Sequence, residues 1–299
     1  MSVEKKKLIS IVGTTASGKS SLGIELCEHY GAEVVSADSR QVYKHLDLGT
    51  GKVTQEEMAR VRHHLIDILE LGQPFSMAEF QSLAYEAIDS ISERGKLPFL
   101  VGGTGLYTRS VVEGYNLVDV PPNEELRREL SGKSLDELRA ILKTFGVESV
   151  AQEVSDRRMI RMIEKCSAGF PAESESSPRY DVLQLAVTWE RETLYKRILE
   201  RLDARIKEGM IEEVESTLKL GATPEFLEGL GLEYRYTYRY ISGQYASFDD
   251  YRDELYKEIC HFAKRQMTWF KKEKNIIWLD TERDLKAQSI ELIDRFLNM

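Results

Sequence analysis

A glycine-rich octapeptide near the amino terminus constrains the fold more than any other part of this chain. Residues 13–20 read Gly-Thr-Thr-Ala-Ser-Gly-Lys-Ser and match the pattern G-x-x-x-x-G-K-[ST] at every fixed position. The apolar run 8–12 precedes this segment and apolar residues at helical spacing follow it, which predicts a strand, a loop and a helix. A glycine and serine turn that merely caps a helix is the alternative. In a phosphate-binding loop, the amides and the helix N-terminus point at an anion.

We therefore predict that this loop binds pyrophosphate or a nucleotide-like phosphate group and that it could offer the Ser20 hydroxyl to a magnesium ion. The residues predicted to bind the phosphate or diphosphate are Gly13, Thr14, Thr15, Ala16, Ser17, Gly18, Lys19 and Ser20.

Strand-like and helix-like segments alternate along the rest of the chain. Residues 33–38, 97–104 and 180–188 have strand character, 276–279 is a plausible last strand, and 77–94 has helical character. This alternation predicts an α/β fold with a parallel, buried sheet, a P-loop NTPase-like core. Functional groups should then gather at the carboxyl ends of the strands.

A charged helical pattern interrupts the core. It begins near residue 115, has Pro121 and Pro122 at its edge, and ends in a segment rich in serine and glutamate at 171–178. We therefore expect the first part of the core at 1–114, a small helical insertion domain at 115–178, and the second part of the core with C-terminal helices at 179–299.

Composition narrows the class of protein. No apolar run of the 299 residues approaches the roughly 20 residues needed to span a bilayer, and no targeting segment is visible. Three distant cysteines predict neither a disulfide framework nor a zinc site, so a reducing cytoplasm fits best. We expect a monomer without a membrane partner. The net charge of −9 argues against a nucleic-acid partner. Basic residues nevertheless cluster at 157–161 and 264–272, so local basic patches on an acidic protein are compatible with the sequence.

Two further features have alternative explanations. Asp38 lies at the C-terminal end of a predicted strand, where its carboxylate could accept a proton or hold a metal-bound water, or could instead act as a turn or N-cap residue. His63 and His64 lack a second cluster of ligands, so we expect hydrogen-bonded imidazoles rather than a metal site.

Six sequence blocks together resemble the tRNA dimethylallyltransferase family in order and spacing. They occupy residues 13–20, 38–43, 47–52, 63–67, 98–107 and 264–270. The resemblance runs from end to end, and six ordered blocks are far more specific than one.

The resemblance implies a reaction and its catalytic groups. A dimethylallyl group would pass from dimethylallyl diphosphate to the exocyclic N6 amine of the adenine 3′ to the anticodon in tRNA, with release of diphosphate and without ATP consumption. Asp38 matches the family's general base, and Thr104 matches a residue that hydrogen-bonds in the same place. The loop and Mg²⁺ would stabilise the leaving diphosphate. Arg201 matches a diphosphate contact, although Arg197 is one turn away.

The resemblance also implies an extended tRNA-binding surface, whose alternative explanation is solvated helix faces with Trp269 in the core. The implied tRNA contacts are Asp38, Ser39, Arg40, Gln41, Thr104, Arg127, Arg157, Arg158, Arg161, Lys264, Arg265, Gln266, Thr268, Trp269 and Lys271. The chain departs from the family where Gly-Tyr is usual, since it reads Gly-Leu-Glu-Tyr-Arg at 231–235.

Three other functions share parts of this pattern. An adenylate isopentenyltransferase would use the same core on a free nucleotide, but the basic segment 264–272 speaks against it. A P-loop small-molecule kinase would use Asp38 to orient an acceptor hydroxyl and would consume ATP. An RNA-binding protein switched by a nucleoside triphosphate would not need Asp38 and Thr104 together.

Overall fold

Six parallel strands form a single sheet in the computed structural model, which describes residues 5–117, 120–150, 154–172 and 176–299. The strands are β1 (Lys7–Gly13), β2 (Glu33–Ser36), β3 (His63–His64), β4 (Pro98–Gly102), β5 (Asp181–Val187) and β6 (Ile276–Trp278). Their order across the sheet is β3-β2-β4-β1-β5-β6, and every pair is parallel. The predicted α/β fold with a parallel sheet is confirmed.

Helices follow or separate the strands throughout. They are α1 (Lys19–Tyr30), α2 (Gln55–Arg60), α3 (Met77–Glu93), α4 (Gly105–Val112), α5 (Glu124–Leu130), α6 (Leu135–Thr144), α7 (Asp156–Ser167), α8 (Arg191–Lys207), α9 (Met210–Lys219), α10 (Pro224–Leu230), α11 (Leu232–Ile241), α12 (Phe248–Phe270) and α13 (Leu285–Leu297).

The sheet is apolar on both faces because helices cover both. Along β1, Ile9 and Ile11 belong to a cluster with side chains of α1 and α13, whereas Leu8 belongs to a cluster with side chains of α3 and α4. Alternate residues of a strand point to opposite faces, so one strand supplies both clusters. Because β1, β2 and β4 are paired in parallel, their carboxyl ends lie at the same edge of the sheet.

The four strands predicted after the first are each shorter in the structure by one to three residues, and the strand β3 was missed. The strand predicted at 33–38 ends at Ser36, and the one predicted at 97–104 ends at Gly102. Beyond these points the chain turns, and the amide of Thr104 donates to the carbonyl of Ala37 at 3.3 Å. The edge strand β3 has two residues, too few to show an alternating pattern.

The chain divides into two compact units. One unit consists of Met1–Val112 and Arg179–Met299, and the other of Glu113–Pro178. The second unit contains α5, α6 and α7 around its own apolar cluster, which includes Leu130, Leu138, Leu142, Met159 and Ile163. In the described ranges, no helix is both long enough and apolar enough to cross a membrane.

Candidate active site

The glycine-rich loop after β1 has a backbone that most side chains could not adopt. Gly13 has a φ of 156°, and a Cβ there would come within 2.2 Å of the Val187 carbonyl oxygen. Ala16 and Gly18 also have positive φ, at 58° and 94°, and Gly18 immediately precedes α1. The loop thus turns sharply onto a helix N-terminus, the arrangement that binds phosphate groups.

Gln266 on α12 fixes the loop to the end of β4. Its Oε1 accepts from the backbone N–H of Thr15 at 2.7 Å, and its Nε2 donates to the Gly103 carbonyl at 2.9 Å. The side chain is buried, so these bonds position the loop. Its predicted contact with tRNA stays a prediction.

Two arginines of α8 contact the loop in different ways. Arg197 donates from Nε to the Ala16 carbonyl at 2.9 Å, and its guanidinium lies 4.9 Å from the centre of the Trp189 ring. Arg201 donates to the Thr15 hydroxyl and lines the cavity described below. Of the two, Arg201 is therefore the one placed to meet a ligand.

Three cationic side chains converge beside the loop. Burial lowers the pKa of Lys19 to about 8, an effect that the nearby Asp38 opposes and that Arg201 and Arg205 reinforce. Burial, and then the neighbouring Arg205, lower the pKa of Arg201 to about 9. Placing like charges together away from water is unfavourable without an anion, so this group favours a multivalent anionic ligand.

Asp38 and Thr104 lie together beyond the ends of β2 and β4. The Asp38 Oδ1 accepts from the backbone N–H of Arg40 at 2.9 Å, and the Thr104 hydroxyl accepts from the backbone N–H of Ser39 at 3.2 Å. One carboxylate oxygen thus makes the turn contact considered above, while the residue also lines the cavity.

A cavity of about 540 Å³ joins these groups, a volume within the range of small-molecule sites. Its lining includes Thr15, Lys19, Ser20, Asp38, Ser39, Arg40, Gln41, Thr104, Arg201, Arg205, Arg265, Gln266 and Trp269. The glycine-rich loop and the candidate base therefore face one space.

Sequence reasoning missed the residue that holds one wall of this cavity. Glu213 on α9 accepts backbone N–H bonds from Asp47 at 3.0 Å, Leu48 at 2.7 Å and Gly49 at 3.0 Å, and a bond from the Tyr234 hydroxyl at 2.5 Å. Residues 49–51 line the cavity. A contact across more than 160 residues leaves no local pattern that could reveal it.

We expect Glu213→Gln to lower the free energy of unfolding by about 2–3 kcal/mol, because an amide nitrogen would face N–H donors that then lack an acceptor. Urea unfolding followed by circular dichroism measures the change. Glu212→Gln is the matched control, since Glu212 is the exposed neighbour on the same helix. Equal stability of the two variants would contradict the role of Glu213.

The C-terminal half of α12 presents an exposed polar surface. Lys264, Arg265 and Thr268 are exposed, as is Lys271 just after the helix. Trp269 is 36% exposed and lines the cavity, so the alternative that it is a core residue is wrong. These positions can be reached by a large ligand.

The arginines predicted to bind tRNA from the helical unit fall into two groups. Arg157 and Arg158 are exposed at the start of α7. Arg127 and Arg161 instead flank the buried Glu164, with N···O distances of 2.8 and 3.0 Å. Burial opposes ionisation of Glu164, but hydrogen bonds from Arg127, the Asn123 amide and Arg161 outweigh it and hold its pKa below the ordinary value. Much of the positive charge of Arg127 and Arg161 is thus already compensated.

Both histidines of β3 make hydrogen bonds within the protein, as predicted. Nδ1 of His63 pairs with the Val61 carbonyl at 2.7 Å, and Nε2 of His64 pairs with Glu33 at 2.8 Å.

Comparisons with known proteins agree with one another. A model of the IPP transferase family matches residues 41–273. The chain is 46% identical over 282 residues to tRNA dimethylallyltransferase 2 of Treponema denticola, covering 91% of this chain and 94% of that protein. It resembles the crystal structure of the full-length tRNA isopentenylpyrophosphate transferase from Bacillus halodurans, with a TM-score of 0.75 at 36% identity, covering 98% and 96% of the two chains. A eukaryotic dimethylallyltransferase acting on tRNA shares the fold, with a TM-score of 0.80 at 24% identity, covering 98% of this chain and 80% of that one.

Proposed function

The chain belongs to the tRNA dimethylallyltransferase family. From this premise we propose that the protein transfers a dimethylallyl group, within this cavity, from dimethylallyl diphosphate to the N6 amine of the adenine 3′ to the anticodon. The observation that carries the proposal is the shared cavity, which has the phosphate-binding loop and its cations together with Asp38 and Thr104. The family relationship favours this reaction over a free-nucleotide transferase or a small-molecule kinase. We further propose that the enzyme acts as a monomer in the cytoplasm, where its tRNA substrate is found.

The leaving group would lie against the glycine-rich loop. As the bond between the allylic carbon and the diphosphate oxygen breaks, its electron pair passes to diphosphate, where negative charge grows. Lys19 and Arg201 line the cavity beside the N-terminus of α1, so they would stabilise that charge in the transition state.

The acceptor adenine would lie beside Asp38, which lines the same cavity. Its amine nitrogen forms the new bond to the allylic carbon, and the proton released goes to the Asp38 carboxylate. The Arg40 backbone N–H donates to Asp38 Oδ1, and the Ser39 backbone N–H donates to the Thr104 hydroxyl. These hydrogen bonds keep the Asp38 carboxylate in position when the adenine enters the cavity. The adenine has to leave the anticodon-loop stack to reach this point.

The Ser20 hydroxyl would provide the protein oxygen for Mg²⁺. Ser20 lines the cavity, as does Lys19. Mg²⁺ in proteins typically has few protein ligands and completes its coordination with water and substrate phosphates. A site shared between the Ser20 hydroxyl and the diphosphate would fit this preference. When bound, the ion would neutralise charge on the diphosphate.

A labelling experiment tests the proposal. The protein is incubated with Mg²⁺, labelled dimethylallyl diphosphate and either bulk tRNA or AMP, and a parallel reaction contains ATP alone. We expect label in tRNA, located at the adenine 3′ to the anticodon, and no ATP consumption. Label in AMP but never in tRNA would refute it.

The exposed cations of α12 give a separate prediction about tRNA. Replacing Lys264 and Arg265 with alanine should weaken tRNA binding and reduce the magnitude of the slope of log K against log salt concentration by about one to two. The reason is that tRNA binding releases fewer counterions when fewer phosphate contacts form. Filter binding at several salt concentrations measures this slope. Lys196→Ala with Lys219→Ala removes two lysines from α8 and α9 as the control. An unchanged slope would move the RNA site elsewhere.

A further inference from the structure

Arg205 is a largely buried cation of the cavity to which the family resemblance assigned no role. It lies one helical turn after Arg201 on α8, and its side chain is 11% exposed. A Cβ on Gly51 would come within 1.6 Å of its Nη2, so the guanidinium lies directly on the backbone of the cavity wall. Gly51 has a φ of 61°. A glycine at position 51 thus makes room for this arginine.

The guanidinium has few acceptors around it. Its ion pair among the described residues is with Glu233, whose Oε1 lies 3.5 Å from Nη1. By contrast, Arg252 makes two close bonds to Asp203, at 2.6 and 2.7 Å. An arginine has five N–H donors, and a buried arginine with one loose partner points to a ligand that supplies further acceptors.

Glu233 belongs to the segment where the chain departs from the usual family sequence. Its side chain is 19% exposed and it lines the same cavity as Arg205. The charged groups of the cavity lining are six cations and two carboxylates: Lys19, Arg40, Arg201, Arg205, Arg235 and Arg265 against Asp38 and Glu233. Glu233 therefore offsets a small part of the positive charge and leaves the cavity cationic.

The position of Arg205 favours the diphosphate over other ligand groups. The positive charge of Arg205 repels the two cations beside the glycine-rich loop, since it contributes to lowering the pKa of Lys19 and that of Arg201. A diphosphate carries several negative charges and acceptor oxygens, and it relieves the mutual repulsion of three cations better than a neutral adenine would.

We propose that Arg205 is a further diphosphate-binding residue and that Glu233 is a positioning residue that holds the Arg205 guanidinium in the cavity before the donor binds. This inference rests on the proposed function for its identification of the ligand. It extends the diphosphate site from the glycine-rich loop and Arg201 to the next turn of α8.

Binding and kinetics of Arg205→Met test the first part. The Met side chain retains much of the apolar stem while removing the donors. We expect the Kd of inorganic pyrophosphate, measured by calorimetry, and the KM for dimethylallyl diphosphate each to rise by about 10- to 100-fold, as charge-assisted bonds are lost. The KM for tRNA should stay within about twofold. Arg205→Lys, which keeps the charge, should lose less than Arg205→Met, and Arg252→Met is the control for removing an arginine.

Glu233→Gln tests the positioning role through a change of sign. In the wild-type background it should weaken pyrophosphate binding, because Arg205 loses its orienting partner. In the Arg205→Met background it should strengthen binding, because it removes a carboxylate that then repels the diphosphate without compensation. A purely structural role would weaken binding in both backgrounds.

Several outcomes would overturn the inference. One is an unchanged pyrophosphate Kd in Arg205→Met and Arg205→Lys, whether or not their stability falls. Another is a raised KM for tRNA alone, which would assign Arg205 to the RNA. If the wild-type enzyme failed to transfer label to tRNA, the proposed function would fail, while the pyrophosphate measurements would still decide whether Arg205 contacts the anion.

Discussion

Asp38→Asn should lower kcat for dimethylallyl transfer to tRNA by about 10²- to 10⁴-fold, the usual contribution of a general base. Asparagine keeps the shape of the side chain and can keep the bond from the Arg40 amide, but it cannot take the proton from the adenine amine. Diphosphate binding should survive, because removing a negative charge near Lys19 does not repel an anion. Single-turnover transfer and calorimetry with pyrophosphate measure the two effects separately.

Asp253→Asn is the control for Asp38→Asn, since Asp253 is an exposed acid on α12. It should leave both quantities unchanged. If Asp38→Asn reduced the affinity for pyrophosphate as much as kcat, its carboxylate would be structural or metal-holding. The role of general base would then be excluded.

Local sequence could predict those parts of the site that local backbone geometry determines. The glycine-rich loop is specified within eight residues, because Gly13 and Gly18 tolerate positive φ and Lys19 begins the following helix. The strand before it and the helix after it have clear periodicities. Asp38 could be located because it lies at the carboxyl end of a predicted strand, two residues beyond the last residue of β2, at the edge where the loop also lies.

Contacts between distant segments could not be predicted in this way. Glu213 binds three amides of a loop 164 or more residues away, and Gln266 bridges the loops after β1 and β4. The family resemblance identified Gln266 as a site residue but implied a contact with tRNA, because a sequence motif carries no information on burial. Arg205 and Glu233 are brought together only when α8 and α11 pack. The interior of this site therefore depends on the tertiary fold.

Lys19→Met should weaken pyrophosphate binding by about 100-fold at pH 7, because a buried ammonium beside the loop contributes a charge-assisted bond and its long-range attraction. The pH dependence identifies the cause. Since the pKa of Lys19 in the free enzyme is about 8, the lysine is charged at pH 7, and above pH 8 binding has to take up a proton. The affinity advantage of the wild type over Lys19→Met should then fall by up to tenfold per pH unit. A constant advantage from pH 7 to 9.5 would contradict this assignment.

The same substitution should stabilise the ligand-free protein. Burial lowers the pKa of Lys19 from its ordinary value of 10.5 to about 8, so the unfolded chain binds the proton more tightly than the folded one. The unfavourable contribution to folding is fully present below pH 8 and is relieved as the pH rises from 8 to 10.5. Urea unfolding at pH 7 without ligand should therefore show Lys19→Met to be more stable by up to about 3 kcal/mol. Equal or lower stability would mean that the folded protein solvates this ammonium well. A more stable but poorly binding variant would show that the enzyme maintains a destabilising charge because the diphosphate compensates it.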